Sequence, residues 1–304
     1  MRGDPVYARV LGETRQTPGP RQAIIRRLGK ELGRCVASFF TSFRYPVMID
    51  DTSAQMLEDV LRGCSLSNGL ALVINSPGGD ALAAERIINI CRAHSGHNFE
   101  AIVPRMAKSA APMICFGANK IRMLPTAELG AIDPQVVETV EGAPTLMSAG
   151  TVIRSYTELL ERALGTPAEF VSPLLQQLLR YDARAIAEME NAVELSRDIA
   201  VRALAAGMMK GKPEADIAEK IRRFTEPEPG GAHGRSIGIQ DSQNCGLVVE
   251  EIGLGSKVAD MVWELYVRTN HYVSTECSAA IETMEESLSA APPSPRGEEA
   301  HRGE

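Results

Sequence analysis

The chain has 304 residues, 44% of them hydrophobic and 5% aromatic with a single Trp. That composition suits one large or two ordinary domains with a core of Ala, Val, Ile, Leu and Met, and it excludes a disordered or collagen-like protein. Lys and Arg total 32 against 39 acidic residues, a net charge of −7, which speaks against a nucleic-acid partner because phosphate contact needs a basic stripe.

The six cysteines, at 35, 64, 91, 115, 245 and 277, form no CxxC pair. Neither a disulfide framework nor a zinc ribbon is expected, and a cytoplasmic location fits best. No apolar run reaches the roughly 18 residues that cross a bilayer. The N-terminal stretch lacks the apolar core of a signal peptide.

Residues 1–20 are rich in Gly, Pro and charge and read as a flexible lead-in. Over 21–44 the apolar positions Ile24, Ile25, Leu28, Leu32, Val36, Phe39 and Phe40 recur at helical spacing and predict one amphipathic helix. Its basic face could meet a membrane surface, but packing on its own protein or on another subunit is the expectation. A short strand is expected around Tyr45–Ile49 and a helix near Ser53–Arg62.

The run from Gly69 to Asn75 has the length and continuous apolar character of a strand buried on both faces. Further expected elements are a helix to about Ala93, a strand Glu100–Pro104, a helix Ser109–Gly117 and a strand Lys120–Met123. This alternation predicts βαβ units and a parallel sheet, an α/β fold. After Pro134 the sequence reads as helical, with one long helix from Ser172 to about Met208. Further helices are expected at Pro213–Phe224 and Val258–Val267, and residues 290–304 read as a disordered tail.

Two strand-to-helix junctions carry unusual residues. In Asn75-Ser76-Pro77-Gly78-Gly79-Asp80, paired glycines can bring backbone N–H groups against a ligand, although Pro-Gly is also an ordinary turn. In Ala107-Lys108-Ser109-Ala110-Ala111-Pro112, Pro112 must lie in the first helical turn, which sets Ser109 at the helix start. Ser109 is then either a simple N-cap or a nucleophile among small neighbours that leave room for a substrate. Cys91, His94 and His97 have spacings that a metal could use, but they sit at a helix end without a fourth ligand, and no metal site is expected. No GxGxxG or P-loop motif is present, so no cofactor is expected and ATP-driven unfolding would need another chain.

The motifs INSPGGDALAAERI (74–87), VPRMAKSAAPM (103–113) and ELGAIDPQ (128–135) resemble the serine dehydrogenase proteinase family. That family lies within the Clp protease and signal peptide peptidase A superfamily of the ClpP/crotonase fold. The resemblance continues more weakly through 214–224 and 232–249. It implies a peptidase domain over 45–273, with Ser109 as nucleophile and Gly78, Gly79 and the N–H of Ala110 as oxyanion hole. It also implies a Ser-Asp-His set completed by Asp133 and His233. Asp133 stands where Clp-type proteases carry their histidine, and locally Asp133-Pro134 also reads as a strand end. His233 follows the breaker at 226–231, and a loop histidine without a role is its bland alternative. Signal peptide peptidase A uses a lysine, yet no lysine lies between Lys120 and Lys210, which leaves Lys210 and Lys212 as the distant alternatives.

The reading implied is a serine peptidase acting on peptides or unfolded protein, a homo-oligomer, with an activating or unfoldase partner possible. Acyl-CoA chemistry on the same fold and a non-catalytic assembly subunit are the alternatives.

Overall fold

The computed structural model describes residues 5–13, 15–44, 48–140, 143–226 and 236–292. A short helix, α1 (Val6–Leu11), precedes α2 (Pro18–Leu32), which has Pro at its first helical position. Gly33, with φ of 68°, ends α2 in the left-handed conformation that glycine adopts without strain. The chain then enters β1 (Cys35–Thr41). Of the flexible lead-in expected over 1–20, residues 1–4 and 14 lie outside the described residues and the rest carries α1 and the start of α2, while the single amphipathic helix expected over 21–44 is corrected to the end of α2 followed by β1. Val36, Phe39 and Phe40 imitate helical spacing because every residue from Val36 to Thr41 is buried. A strand covered on both faces loses the alternation that would mark it.

Of the strand expected at Tyr45–Ile49, residues 45–47 lie outside the described residues, and Ile49 makes a single parallel bridge to Gly79. Helix α3 (Asp51–Arg62) opens with a capping box: Asp50 accepts from the Ser53 N–H (2.7 Å), and Ser53 Oγ accepts from the Asp50 N–H (2.9 Å). There follow β2 (Leu70–Asn75), α4 (Ala81–His94), β3 (Phe99–Val103), β4 (Met106–Ala107), α5 (Ala110–Phe116), β5 (Lys120–Met123) and β6 (Glu128–Leu129). All of these but the two-residue strands match the expected alternation.

The helical reading after Pro134 fails at once. β7 (Gln135–Val140) and β8 (Ala143–Ser148) form an antiparallel hairpin before α6 (Ala149–Leu164) begins. The β-branched residues Val136, Val137, Thr139 and Val140 were the available strand signal. The long helix expected over 172–208 is two helices, α7 (Ser172–Leu178) and α8 (Ala183–Ala206). They are separated where Asp182 caps α8 by accepting from the Arg184 N–H (2.8 Å). The described chain closes with α9 (Glu214–Lys220), α10 (Arg222–Thr225), α11 (Ile239–Asn244), β9 (Val249–Glu251), α12 (Lys257–Thr275), β10 (Ala279–Glu282) and β11 (Ser287–Ala290). Of the expected tail, residues 293–304 lie outside the described residues, and Ala290 belongs to β11.

The main sheet has the order β11-β10-β1-β2-β3-β5-β9. Strands β1, β2, β3, β5 and β9 are mutually parallel, while β10 and β11 add antiparallel strands beside β1. Every residue of β2 and β3 is buried. One layer of helices is α3, α4 and α5, and α2 with α12 forms another. The sheet itself extends past the range 45–273 in which a peptidase domain is expected, since β1 lies before it and β10 and β11 after it.

Arg21 and Glu282 join those outlying parts. The guanidinium makes a bidentate pair with the carboxylate (2.8 Å and 2.8 Å), both side chains almost wholly enclosed. It also donates to the Gln16 carbonyl (3.1 Å) and lies 4.0 Å above the Tyr272 ring.

Candidate active site

The two junctions singled out in the sequence leave the carboxyl ends of β2 and β3, the end of a parallel sheet where ligands are bound. They are hydrogen-bonded to each other. The Ser76 N–H donates to the Met106 carbonyl (3.0 Å) and the Lys108 N–H to the Ser76 carbonyl (3.0 Å). The Met106 N–H donates to Asn75 Oδ1 (3.0 Å). Thr41 and Ser76 share a hydroxyl hydrogen bond of 2.6 Å, and Ser76 Oγ accepts from the Gly78 N–H (3.1 Å). Buried Asn75, Ser76 and Thr41 are thus committed to holding the glycine loop in place.

Gly79 is pinned from its other side. The Ile49 N–H donates to the Gly78 carbonyl and the Asp80 N–H to the Ile49 carbonyl, each at 2.8 Å. A Cβ at Gly79 would lie 2.2 Å from the Ile49 nitrogen, so this approach requires glycine. The N–H of Gly79 takes no hydrogen bond among the described residues, and neither does that of Ala110. Of the three expected oxyanion donors, Gly78 is therefore already engaged by Ser76.

Ser109 immediately precedes α5, a helix whose residues are all buried. Its backbone is at φ 54°, ψ −116°, a region that side chains rarely adopt and that costs about 1–3 kcal/mol. Its side chain makes no capping hydrogen bond. The bland reading as an N-cap therefore loses its basis. Its N–H donates to the Ala131 carbonyl (3.1 Å). A Cβ at Gly78 would stand 2.3 Å from Ser109 Cβ and 2.9 Å from its Oγ.

Lys108 points away from this centre. Its stem runs over Gly130, where a Cβ would approach Lys108 Cδ to 2.5 Å, and its ammonium pairs with Glu128 (2.5 Å). Lys210 and Lys212 are exposed and follow Gly207, which lies against the Ala118 carbonyl beyond the carboxyl end of α5. Ser109 is at the other end of that helix.

Asp133 is 2% exposed and lies two residues beyond Ala131, the carbonyl that holds the Ser109 backbone. His233 lies outside the described residues, within 227–235. The described residues on either side of that segment are both tied to the strand leading to Asp133. The Ile132 N–H donates to the Phe224 carbonyl (2.8 Å), and Leu129 and Ile237 exchange hydrogen bonds of 2.9 Å and 3.0 Å. Phe224 and Ile237 are buried, and Phe224 stands edge-on to Phe116 of α5 at 5.1 Å. Sequence reasoning did not identify this double anchor, since neither residue belongs to a chemical motif.

Part of the chain is similar to known proteins. Residues 33–153 match the model of the ClpP-like SDH-type serine proteinases. The chain is similar to that family over this segment. The segment contains Gly78, Ser109 and Asp133 but not His233. The mixed α/β architecture with its mostly parallel sheet is consistent with a ClpP-like α/β fold. Two uncharacterized proteins of Methanocaldococcus jannaschii are also similar. MJ0137 is 32% identical over 105 residues, 34% of this chain and 35% of that protein. MJ1495 is 34% identical over 82 residues, 26% of this chain and 28% of that protein. The chain thus spans about a third of the length of the curated relatives it matches. No described helix is long and apolar enough to cross a membrane.

Proposed function

We propose that the protein is a serine peptidase with Ser109 as its nucleophile. The observation that carries this reading is the strained backbone of Ser109, whose side chain is spared from capping α5 and faces the loop of Gly78 and Gly79. Strain at a serine makes sense where it presents a hydroxyl to a substrate.

In this mechanism His233 accepts the Ser109 proton as Oγ attacks the scissile carbonyl, then returns it to the leaving amine. Asp133 orients the imidazole and favours its charged form. The N–H groups of Gly79 and Ala110 receive the tetrahedral oxyanion, because both lack an internal acceptor among the described residues. Gly78 acts differently from its neighbour: its N–H stays on Ser76 and its missing side chain makes room for Ser109. An acyl-CoA enzyme of the same fold would use the two donors without needing a nucleophile at the helix start.

The substrate class is peptides or unfolded protein segments, met in the cytoplasm, with any unfoldase supplied by another chain. Self-association is part of the proposal. The stripe at 21–44 is consumed inside the fold, but Leu164, Phe170, Leu175 and Leu179 around α6 and α7 remain exposed. Light scattering should give an oligomer at micromolar concentration, and a monomer would refute that part. Hydrolysis of an unfolded casein by the purified chain, abolished by Ser109→Ala, is the test of the activity. Hydrolysis that survives Ser109→Ala would reject the nucleophile.

A further inference from the structure

At the other end of β1 from Thr41, Cys35 meets Cys64, which lies two residues beyond α3. Both thiols are partly exposed and close enough for the ionisation of each to depend on the other. They line one cavity of about 310 Å³. Cys64 also lines a neighbouring cavity of about 560 Å³. Cys91, Cys115, Cys245 and Cys277 are buried instead.

The surroundings favour a thiolate at Cys64. Hydrogen bonding from Cys35 to the ionised sulfur brings the Cys64 thiol down to about 7 from the ordinary 9.0, against the opposing pull of burial, and Thr283 adds a second donor. The same contact pushes Cys35 up, so one sulfur ionises while the other keeps its proton. When neutral, Cys64 donates instead to the Val60 carbonyl (3.3 Å). Arg26, Lys30 and Arg34 border the smaller cavity, where Arg26 pairs with Glu285 (3.6 Å) and Arg34 with Glu100 (3.6 Å), while Glu285 and Glu286 oppose ionisation of Cys64; Arg62, at the larger cavity, pairs with Glu58 (2.9 Å). Lys30 is in none of these pairs, so a negatively charged reagent is drawn to the smaller mouth.

We propose that Cys35 and Cys64 form a redox-active pair that a small anionic disulfide oxidises to an internal disulfide, with Cys64 attacking first. The Cys64 thiolate attacks one sulfur of the reagent, whose S–S bond breaks and releases one thiolate. Cys35 then gives up its proton and attacks Cys64 Sγ, expelling the second thiolate. The protein loses two electrons and two protons, and the reagent becomes two thiols. The new bond joins the start of β1 to the end of α3 and restricts the unfolded chain between them, so the oxidised form resists unfolding more strongly.

The test uses the full reduced chain and oxidised glutathione, and it needs no peptidase activity. The expected product has lost two hydrogens and yields a peptide linking Cys35 to Cys64, while the other four cysteines stay free and the thermal midpoint rises. Cys35→Ser should stop at a stable glutathione adduct on Cys64, whereas Cys64→Ser should leave Cys35 unmodified under the same conditions. Circular dichroism of each variant establishes that it is folded. Positively charged cystamine should react more slowly than oxidised glutathione. A native chain that yields no Cys35–Cys64 link overturns the proposal. An adduct on Cys35 in the folded Cys64→Ser variant, formed as fast as the one on Cys64, overturns the order of attack. Faster reaction with cystamine overturns the anionic reagent.

Discussion

Gly78 and Ser109 come so close that no side chain fits between them: a Cβ on Gly78 would overlap Ser109 Cβ at 2.3 Å and the Lys108 carbonyl oxygen at 2.6 Å. Gly78 also holds φ of 112°, outside the range that other residues adopt without strain. The two junctions that look independent in sequence are therefore one structural unit. The glycine is required by the serine as much as by its own turn.

Gly78→Ala should consequently damage both stability and the site. Steric overlap with backbone and a forbidden φ together predict a loss of about 2–5 kcal/mol. Urea unfolding measures it, and serine-directed labelling should fall in whatever fraction still folds. A loss within experimental error would mean that the junctions are not in contact.

The pair Arg21–Glu282 tests the wider boundaries of the domain. Removing Arg21 leaves a buried carboxylate whose remaining partner is the Ser287 hydroxyl (2.7 Å). Arg21→Ala should cost about 3–5 kcal/mol, and adding Glu282→Leu should recover part of that loss by removing the stranded charge. Denaturant melts of the two single variants and the double variant check this. Additive losses would show that α2 and β10 are not coupled.

The identity of the general base separates two peptidase mechanisms. His233→Ala should remove most turnover, and Asp133→Asn should lower it while leaving Ser109 in place. Lys108→Met, Lys210→Ala and Lys212→Ala should change it little, since Lys108 is turned to Glu128 and the others are exposed beyond the far end of α5. The pH profile should rise through the ordinary histidine range, about pH 6–7. Near-normal turnover in His233→Ala, with any one lysine variant inactive, would overturn the Ser-Asp-His assignment.

The parallel core was legible because each signal there was local. Leu70–Asn75 is a short apolar run, Pro112 marks a first helical turn, and the junction glycines stand at strand ends. What could not be read locally was burial on both faces. Val36, Phe39 and Phe40 pack in the sheet, and of the antiparallel strands after residue 273, β10 joins it through long-range pairing with β1 and β11 through β10. The helix break at Asp182 was obscured for a different reason, since an aspartate cap replaces the usual Gly or Pro.

Within the site, residue types pointed to Ser109 but not to its conformation. The division of labour between the glycines was also hidden. Gly78 and Gly79 are identical in sequence, and only the hydroxyl of Ser76, held by Thr41, makes the first N–H internal and leaves the second open.

The most direct test is labelling with a serine-reactive fluorophosphonate followed by peptide mapping, in the native chain and in Ser109→Ala. Because Ser109 makes no cap bond, the alanine variant should keep its stability to within about 0.5 kcal/mol. The account predicts a single adduct on Ser109 in the native protein and none in the variant. A folded native chain that takes up no label, or an equal adduct in Ser109→Ala, would contradict it.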